Sequence, residues 1–142
     1  MFNSSNIVDP SKDLEHFRIS TIHETSFESC AKLRRIKYPP QIKHNLFAFR
    51  KCPALEIIDI NEECKTLTWA TNPLIGSYNI KAIILRQREA FKVPEPLSLF
   101  YGLNYPRGFK IYIHDEILDE FKLINSDKSI INHFTPLSEY NP

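Results

Sequence analysis

Short segments with the alternating pattern of β-strands recur along this chain of 142 residues, and they constrain its fold more than any other feature. The clearest is Phe109–Ile113 (FKIYI), in which strongly apolar residues occupy every second position. Tyr78–Arg86 and Leu55–Ile60 are rich in the β-branched residues that favour strands. The chain shows neither a regular strand–helix–strand alternation nor an internal repeat, so we expect antiparallel strands.

The stretch Asn61–Thr71 (NEECKTLTWAT) contains the single tryptophan of the chain and is typical of the second arm of a β-hairpin. Polar residues at its start suit a turn, and Leu67 and Trp69 then fall on one side of an extended chain. Leu55–Ile60 would form the first arm. We therefore predict that Trp69 packs in the core.

Three further apolar segments complete the candidate strands. Leu97–Gly102 (LSLFYG) is predicted as a strand, and Leu46–Phe49 is a second short apolar piece. Phe27–Lys37 fits both helical spacing and strand alternation. The prolines that follow Tyr38 end this element in either case.

An amphipathic helix is predicted after the last of these strands. Asp115 has the position of an N-cap, and acidic residues follow it in the first turns. Ile117, Phe121 and Ile124 are spaced i, i+4 and i+7, with Leu118 beside them. This spacing indicates one apolar face that packs against the strands.

The length of the chain favours one domain with less ordered ends. We assign residues 1–25 to a loose or short helical N-terminal extension, 26–125 to the folded domain and 126–142 to an irregular C-terminal tail. The chain has only 3 glycines, so a Gly-rich phosphate-binding loop is not expected.

The order of these segments, together with their residues, resembles a pleckstrin homology (PH) domain of the phospholipase C type. The best match is the hairpin into the third strand of the family, where Glu63-Cys64-Lys65-Thr66 is followed closely by Trp69. The other matching pieces are Cys30 with Leu33, Arg35 and Ile36 for the first strand, Tyr78-Asn79-Ile80 with Ile83 for the fourth, Leu97–Tyr101 for the penultimate and Phe109–Ile113 for the last.

The resemblance implies a PH-like fold, a seven-stranded antiparallel β-barrel or sandwich capped by the C-terminal α-helix. Phe121 stands near the place where that helix usually carries a tryptophan in the family. Lipid-binding members have basic residues at alternate positions of the second strand, and those positions fall on Pro53 and Glu56 here. This departure favours protein binding as the alternative to lipid binding.

The strongest charge asymmetry lies between Ser29 and Leu55, where the chain has no acidic residue. Such a segment attracts anionic lipid headgroups at about 1 kcal/mol per basic residue near the surface. It would also attract nucleic-acid phosphates or an acidic protein partner. In a PH-like fold it coincides with the phosphoinositide-binding region, so we predict the lipid-binding residues to be Lys32, Arg34, Arg35, Lys37, Lys43, Arg50 and Lys51.

The primary functional hypothesis is therefore a non-catalytic targeting or adaptor domain that recruits a protein to anionic, phosphoinositide-containing membranes. The alternative is a PH-like protein–protein interaction domain without lipid binding. A basic nucleic-acid-binding module is the third hypothesis. An acid-free segment supports the first, whereas Pro53 and Glu56 support the second.

No catalytic site, metal site or cofactor is predicted. The five histidines are scattered, and the acidic residues after Asp115 are typical of a solvated helix face. The three cysteines form no CxxC pair, which favours a reducing compartment. The start of the chain lacks a signal-peptide pattern, and no apolar run is long enough to span a bilayer. We expect a cytoplasmic protein, with peripheral association at the membrane or cell cortex as an option.

Overall fold

All the strands that the structure describes lie in two parallel sheets. The computed structural model describes residues 21–22, 32–38, 44–47, 49–60, 62, 67–69, 74, 76–93, 106–127 and 129–141. The larger sheet has five strands, namely β2 (Arg35–Tyr38), β4 (Ile57–Ile60), β6 (Ala82–Leu85), β7 (Lys110–Ile113) and β8 (Phe134–Pro136), paired in that order. The smaller sheet pairs β1 (Thr21–Ile22), β3 (His44–Phe47) and β5 (Leu67–Trp69).

The chain visits the two sheets alternately as far as β6, and each sheet adds its strands in sequence order. Every pairing is parallel. Residues at the same height of successive strands are separated by roughly 22 to 28 positions, as in Arg35 beside Ile57 and Ala82 beside Lys110. This is the geometry of a solenoid, in which each turn packs on the one before it.

A sequence repeat underlies the solenoid. Phe49-x-x-Cys52-x-x-Leu55-x-x-Ile58 recurs as Leu74-x-x-Ser77-x-x-Ile80-x-x-Ile83, and all eight of these residues are buried. The last part of the pattern also occurs as Leu33-x-x-Ile36, whose side chains are both buried. In both copies the last residue of the pattern lies in a strand of the larger sheet, Ile58 in β4 and Ile83 in β6. The expectation that the chain has no internal repeat was wrong.

The turn before β6 is fastened to the turn before β4 through Ser77. Its hydroxyl donates a hydrogen bond to the carbonyl oxygen of Phe49 at 2.5 Å and accepts one from the backbone N–H of Cys52 at 2.8 Å. All three residues are fully buried. The Ser77 side chain therefore links the two turns at a place where the residues involved do not pair as strands.

The main hydrophobic cluster lies on one side of the five-stranded sheet. Isoleucines at one height of four successive strands, followed by Phe134 on β8, stack into a buried ladder. Burying each such side chain contributes about 1.5–3 kcal/mol. The residues of the ladder are Ile36, Ile58, Ile83, Ile111 and Phe134.

The C-terminal end of the core is covered by the helix α1 (Leu118–Ile124), which follows a 3-10 turn at Asp115–Ile117. The helix buries Phe121, whose ring meets the rings of Phe91 and Phe134 edge-on at 5.0 and 5.8 Å. Asn125, directly after the helix, is fully buried. Its side-chain amide donates to the carbonyl oxygens of Phe91 and Phe121, and its oxygen accepts from the N–H of Val93.

The predicted helix is thus confirmed, with two differences. Asp115 makes no capping bond and instead accepts hydrogen bonds from Ser138. Ile124 is 37% exposed and does not belong to the buried face, because Asn125 takes the next inward position.

The predicted fold class was wrong. The strands form parallel sheets, whereas the seven-stranded antiparallel barrel or sandwich required neighbours in sequence to pair antiparallel. The hairpin was wrong for the same reason, since β4 and β5 belong to different sheets. The side chain of Trp69 and the predicted strand Leu97–Gly102 lie outside the described residues.

Candidate binding surface

The side of the five-stranded sheet that faces away from the core presents a continuous set of aligned side chains. Successive residues of a strand point to opposite faces, so the residues between the core positions define this surface. We call it the outer face. Its residues are Arg35, Lys37, Ile57, Asp59, Ala82, Ile84, Arg86, Lys110, Tyr112 and Thr135.

The basic side chains of the outer face are accessible to solvent, whereas some of the residues between them are buried. Lys110 is exposed and Arg35, Lys37 and Arg86 are half-buried, whereas Ile84 is fully buried between its neighbours. Asp59 is the one carboxylate at these positions of the described strands, against four basic side chains. The accessible part of the face therefore has a net positive charge.

Asp59 and Arg86 form the central ion pair of the outer face. Arg86 donates from Nε and Nη2 to the two carboxylate oxygens, at 2.7 and 3.0 Å. Arg35, on the opposite side of Asp59, has its Nη2 4.0 Å from Oδ2. The hydrogen bonds from Arg86 to Asp59 raise the pKa of Arg86, against the opposing effect of burial. Asp59 is 1% exposed, so this bidentate pair is shielded from solvent on the carboxylate side.

A second carboxylate, Glu56, lies at the amino ends of the strands. Lys81 Nζ lies 3.0 Å from one of its oxygens, and Arg34 Nη2 donates to the other at 3.3 Å. The hydrogen bond from Lys81 lowers the pKa of Glu56, with Arg34 adding to the effect and partial burial opposing it. Glu56 thus pairs with Arg34, one of the predicted lipid-binding residues, and offsets its charge. Glu56 comes from the next turn of the solenoid.

At the carboxyl ends of the strands, Arg88 bridges two exposed glutamates. Its Nε donates to Glu62 at 2.9 Å and its Nη1 donates to Glu116 at 3.2 Å. All three side chains are at least half exposed, so the bridge contributes little to stability.

The C-terminal segment Leu137–Tyr140 packs against the outer face. The ring of Tyr140 lies 5.0 Å from that of Tyr112, at an angle of 56°. Tyr140 is close enough to Arg86 to help raise the pKa of that guanidinium. The segment is held at its other end by Ser138, whose hydroxyl and N–H donate to Asp115 at 2.5 and 3.0 Å.

The structure brings only two of the seven predicted lipid-binding residues onto the outer face, Arg35 and Lys37. Lys32 and Arg34 precede β2, Arg50 and Lys51 lie in the turn before β4, and Lys43 is outside the described residues. The sequence interpretation missed Arg86 and Lys110. Only the register of the sheet brings Lys110 into the row of Arg35, three strands away, and Arg86 to the position directly after β6.

Other chemistry has little support in the described part of the chain. Its histidines, cysteines and carboxylates include no group of three or more that could hold a metal ion. Cys52 is buried in the core, where its thiol donates to the carbonyl oxygen of Arg50, and Asp115 has a lowered pKa because Ser138 donates hydrogen bonds to it. Among the helices that the structure describes, none has the length and apolar character needed to cross a bilayer.

No protein family model matches the sequence, and no curated protein or solved structure shows significant similarity to it. The comparisons thus identify no PH domain.

Proposed function

We propose that this chain is a non-catalytic protein-interaction module whose outer face binds an acidic segment of a partner protein. The observation that carries the proposal is the charge of that face. At the described positions the face carries four basic side chains (Arg35, Lys37, Arg86 and Lys110) and a single carboxylate, Asp59, which is already paired with Arg86. A partner with complementary charge is steered to such a surface and held in register on it.

The solenoid supports this proposal through its shape. Turns that stack at a regular spacing produce an extended surface in which equivalent side chains are aligned across strands. The ladder of buried isoleucines makes the sheet a rigid support, so binding requires little ordering of the protein itself.

The composition of the outer face favours a protein over a membrane or a nucleic acid. Arg35 and Arg86 are held by Asp59 and have only about one third of their side chains exposed, at 36% and 37%. Tyr112 and Ile57 lie between the basic residues and are partly accessible. Arginine and tyrosine in a half-buried, mixed surface are typical of protein interfaces. Membrane and nucleic-acid attraction depends more on freely exposed cations.

The test is binding of a fluorescent peptide of alternating glutamate and valine, measured by anisotropy at low and high salt. The face variant is Lys37→Glu with Lys110→Glu, and the matched control is Lys32→Glu with Lys122→Glu, which changes the net charge equally at exposed positions off the outer face. We expect the peptide to bind the wild type and the control, and to lose most of its affinity for the face variant.

Three outcomes would contradict the proposal. One is the absence of peptide binding at low salt, and another is an equal loss of affinity in the face variant and the control. The third is binding to phosphoinositide-containing vesicles or to single-stranded RNA without binding to the acidic peptide. That last result would favour the membrane or nucleic-acid hypothesis instead.

A further inference from the structure

We infer that the C-terminal segment Leu137–Tyr140 occupies part of the outer face as an intramolecular substitute for the partner, and that the partner presents a tyrosine beside an acidic residue. This inference rests on the proposed function and names the chemistry of the ligand. The juxtaposition that carries it is Tyr140 on Tyr112, next to Arg86.

The contact between Tyr140 and Tyr112 resembles the contact that an interface tyrosine makes with its partner. Tyr112 is an outward residue of β7, since its neighbours Ile111 and Ile113 both belong to the core. The ring of Tyr140 packs on it from outside the sheet at 5.0 Å, and its hydroxyl is buried. Tyrosine is among the residues that most often anchor protein interfaces, because it buries a large ring at a small cost in side-chain entropy.

The sequence of the segment complements the charge of the surface. Glu139 immediately precedes Tyr140, and both follow β8 within four residues. The outer face carries Arg86 near Tyr140, and Lys110 two residues before Tyr112 on β7. The chain therefore supplies in its own tail the acidic and aromatic groups that its outer face would select from a partner.

The segment is fastened lightly enough to be displaced. Its regular structure is one 3-10 turn at Leu137–Glu139, and its polar anchor is the contact of Ser138 with Asp115, both of which are exposed. Exposed hydrogen bonds of this kind contribute little, since water replaces them when they open. A partner competes with the segment, and its apparent affinity is reduced by the fraction of time that the segment is bound.

The test uses the 142-residue chain and a labelled peptide with the sequence of its residues 136–142, PLSEYNP. Two variants release the segment in different ways: Tyr140→Ala removes the ring, and Ser138→Asp places a carboxylate against Asp115. We expect both to bind the peptide roughly tenfold more tightly than the wild type, which corresponds to a segment that occupies the face about nine-tenths of the time. Peptides with Tyr→Ala or Glu→Lys should bind both variants weakly.

Equal affinity of the wild type and both variants for the peptide would overturn the inference, as would equal binding of the Tyr→Ala peptide. Neither result affects the proposed function, which depends on the Lys37 and Lys110 variants and the glutamate–valine probe. Analytical ultracentrifugation of the wild type tests the remaining possibility, that the chain dimerises through this site. A concentration-dependent dimer that Tyr140→Ala abolishes would assign the tyrosine site to a second copy of this chain and exclude a separate partner.

Discussion

Arg86 joins β6 to β4 by donating two hydrogen bonds to Asp59, a carboxylate that is only 1% exposed. The two members of the pair differ in burial, since 37% of the Arg86 side chain remains accessible. Removing one partner therefore has unequal consequences. Arg86 alone can turn to solvent, whereas Asp59 alone stays buried.

Arg86→Met is expected to lower the free energy of unfolding by about 3 kcal/mol, because it removes the bidentate partner of a buried carboxylate and leaves the longer contact of 4.0 Å with Arg35. Asp59→Asn should cost less, and the double variant Arg86→Met/Asp59→Leu less than Arg86→Met alone. The matched control is Arg88→Met, whose partners are both exposed and whose loss should cost less than about 1 kcal/mol. Urea denaturation measures all four. Equal effects of Arg86→Met and Arg88→Met would show that burial of Asp59 does not matter.

The sequence revealed where several strands lie but not the direction in which they pair. Alternation at β7 and β-branched residues at β4 and β6 correctly indicated strands, because both signals are the same whichever way the neighbouring strand runs. The same property hides the direction of pairing. That information lay in the recurrence of the pattern from Phe49–Ile58 at Leu74–Ile83, which the substitution of Cys52 by Ser77 obscures.

The candidate surface was predictable only in part for a related reason. Arg35 and Lys37 attracted notice because they lie in an acid-free segment. Arg86 and Lys110 lie in segments of mixed charge and join them only through the register of the sheet. Glu56 and Asp59, which pair with Arg34 and Arg35, likewise come from the next turn. The surface is therefore less positively charged than the acid-free segment suggests.

Acid should destabilise the protein partly through Glu56. Its pKa lies below the ordinary value of 4.5 in the folded state, because Lys81 and then Arg34 stabilise the carboxylate. A carboxylate with a lowered folded-state pKa adds stability above the unfolded value, and this stability is lost as the pH falls through the folded pKa. Glu56→Gln should therefore be less stable than the wild type at pH 7 and lose less stability below pH 4.5.

The measurement for Glu56 is urea denaturation across this pH range, with Glu120→Gln on the exposed side of α1 as the control. The control should follow the wild type at every pH. A Glu56→Gln profile parallel to the wild-type profile would rule out a contribution of this carboxylate to acid unfolding.

Asn125 should be the most sensitive polar residue near α1. Its amide holds the segment at Phe91–Val93 through two hydrogen bonds, of 3.0 and 2.7 Å, and it is fully buried. Asn125→Ala leaves buried backbone groups without these partners and should cost about 3 kcal/mol. Hydrogen exchange at the Val93 amide should accelerate more than at the amides of β4. Asn132→Ala, at an exposed position, should change neither quantity.

Among the described residues, two glycines with positive φ allow the cost of backbone strain to be compared with the cost of steric crowding. Gly76 and Gly108 have similar φ values of 82° and 78°. A Cβ at Gly108 meets nothing within 4 Å, whereas at Gly76 it would lie 3.0 Å from the Cα of Lys51. Gly108→Ala should therefore cost about 1 kcal/mol from backbone conformation. Gly76→Ala should cost a further ~2 kcal/mol from overpacking.

Thermal unfolding of the two glycine variants gives the comparison under one set of conditions. Equal melting temperatures would mean that the turn containing Lys51 relaxes away from Gly76 without cost. That result would contradict a close packing of the turns before β4 and β6.

Substitutions at Tyr140 distinguish the contribution of its ring to stability from that of its hydroxyl. Its hydroxyl is buried and has no hydrogen-bond partner within the described part of the chain, whereas its ring contacts that of Tyr112. Removing an unpaired buried hydroxyl relieves a desolvation cost, so Tyr140→Phe should leave the melting temperature unchanged or raise it. Tyr140→Ala should lose about 1 kcal/mol of aromatic contact, and this loss should disappear when Tyr112 is also alanine. If Tyr140→Phe were as destabilising as Tyr140→Ala, the hydroxyl rather than the ring would hold the C-terminal segment on the outer face.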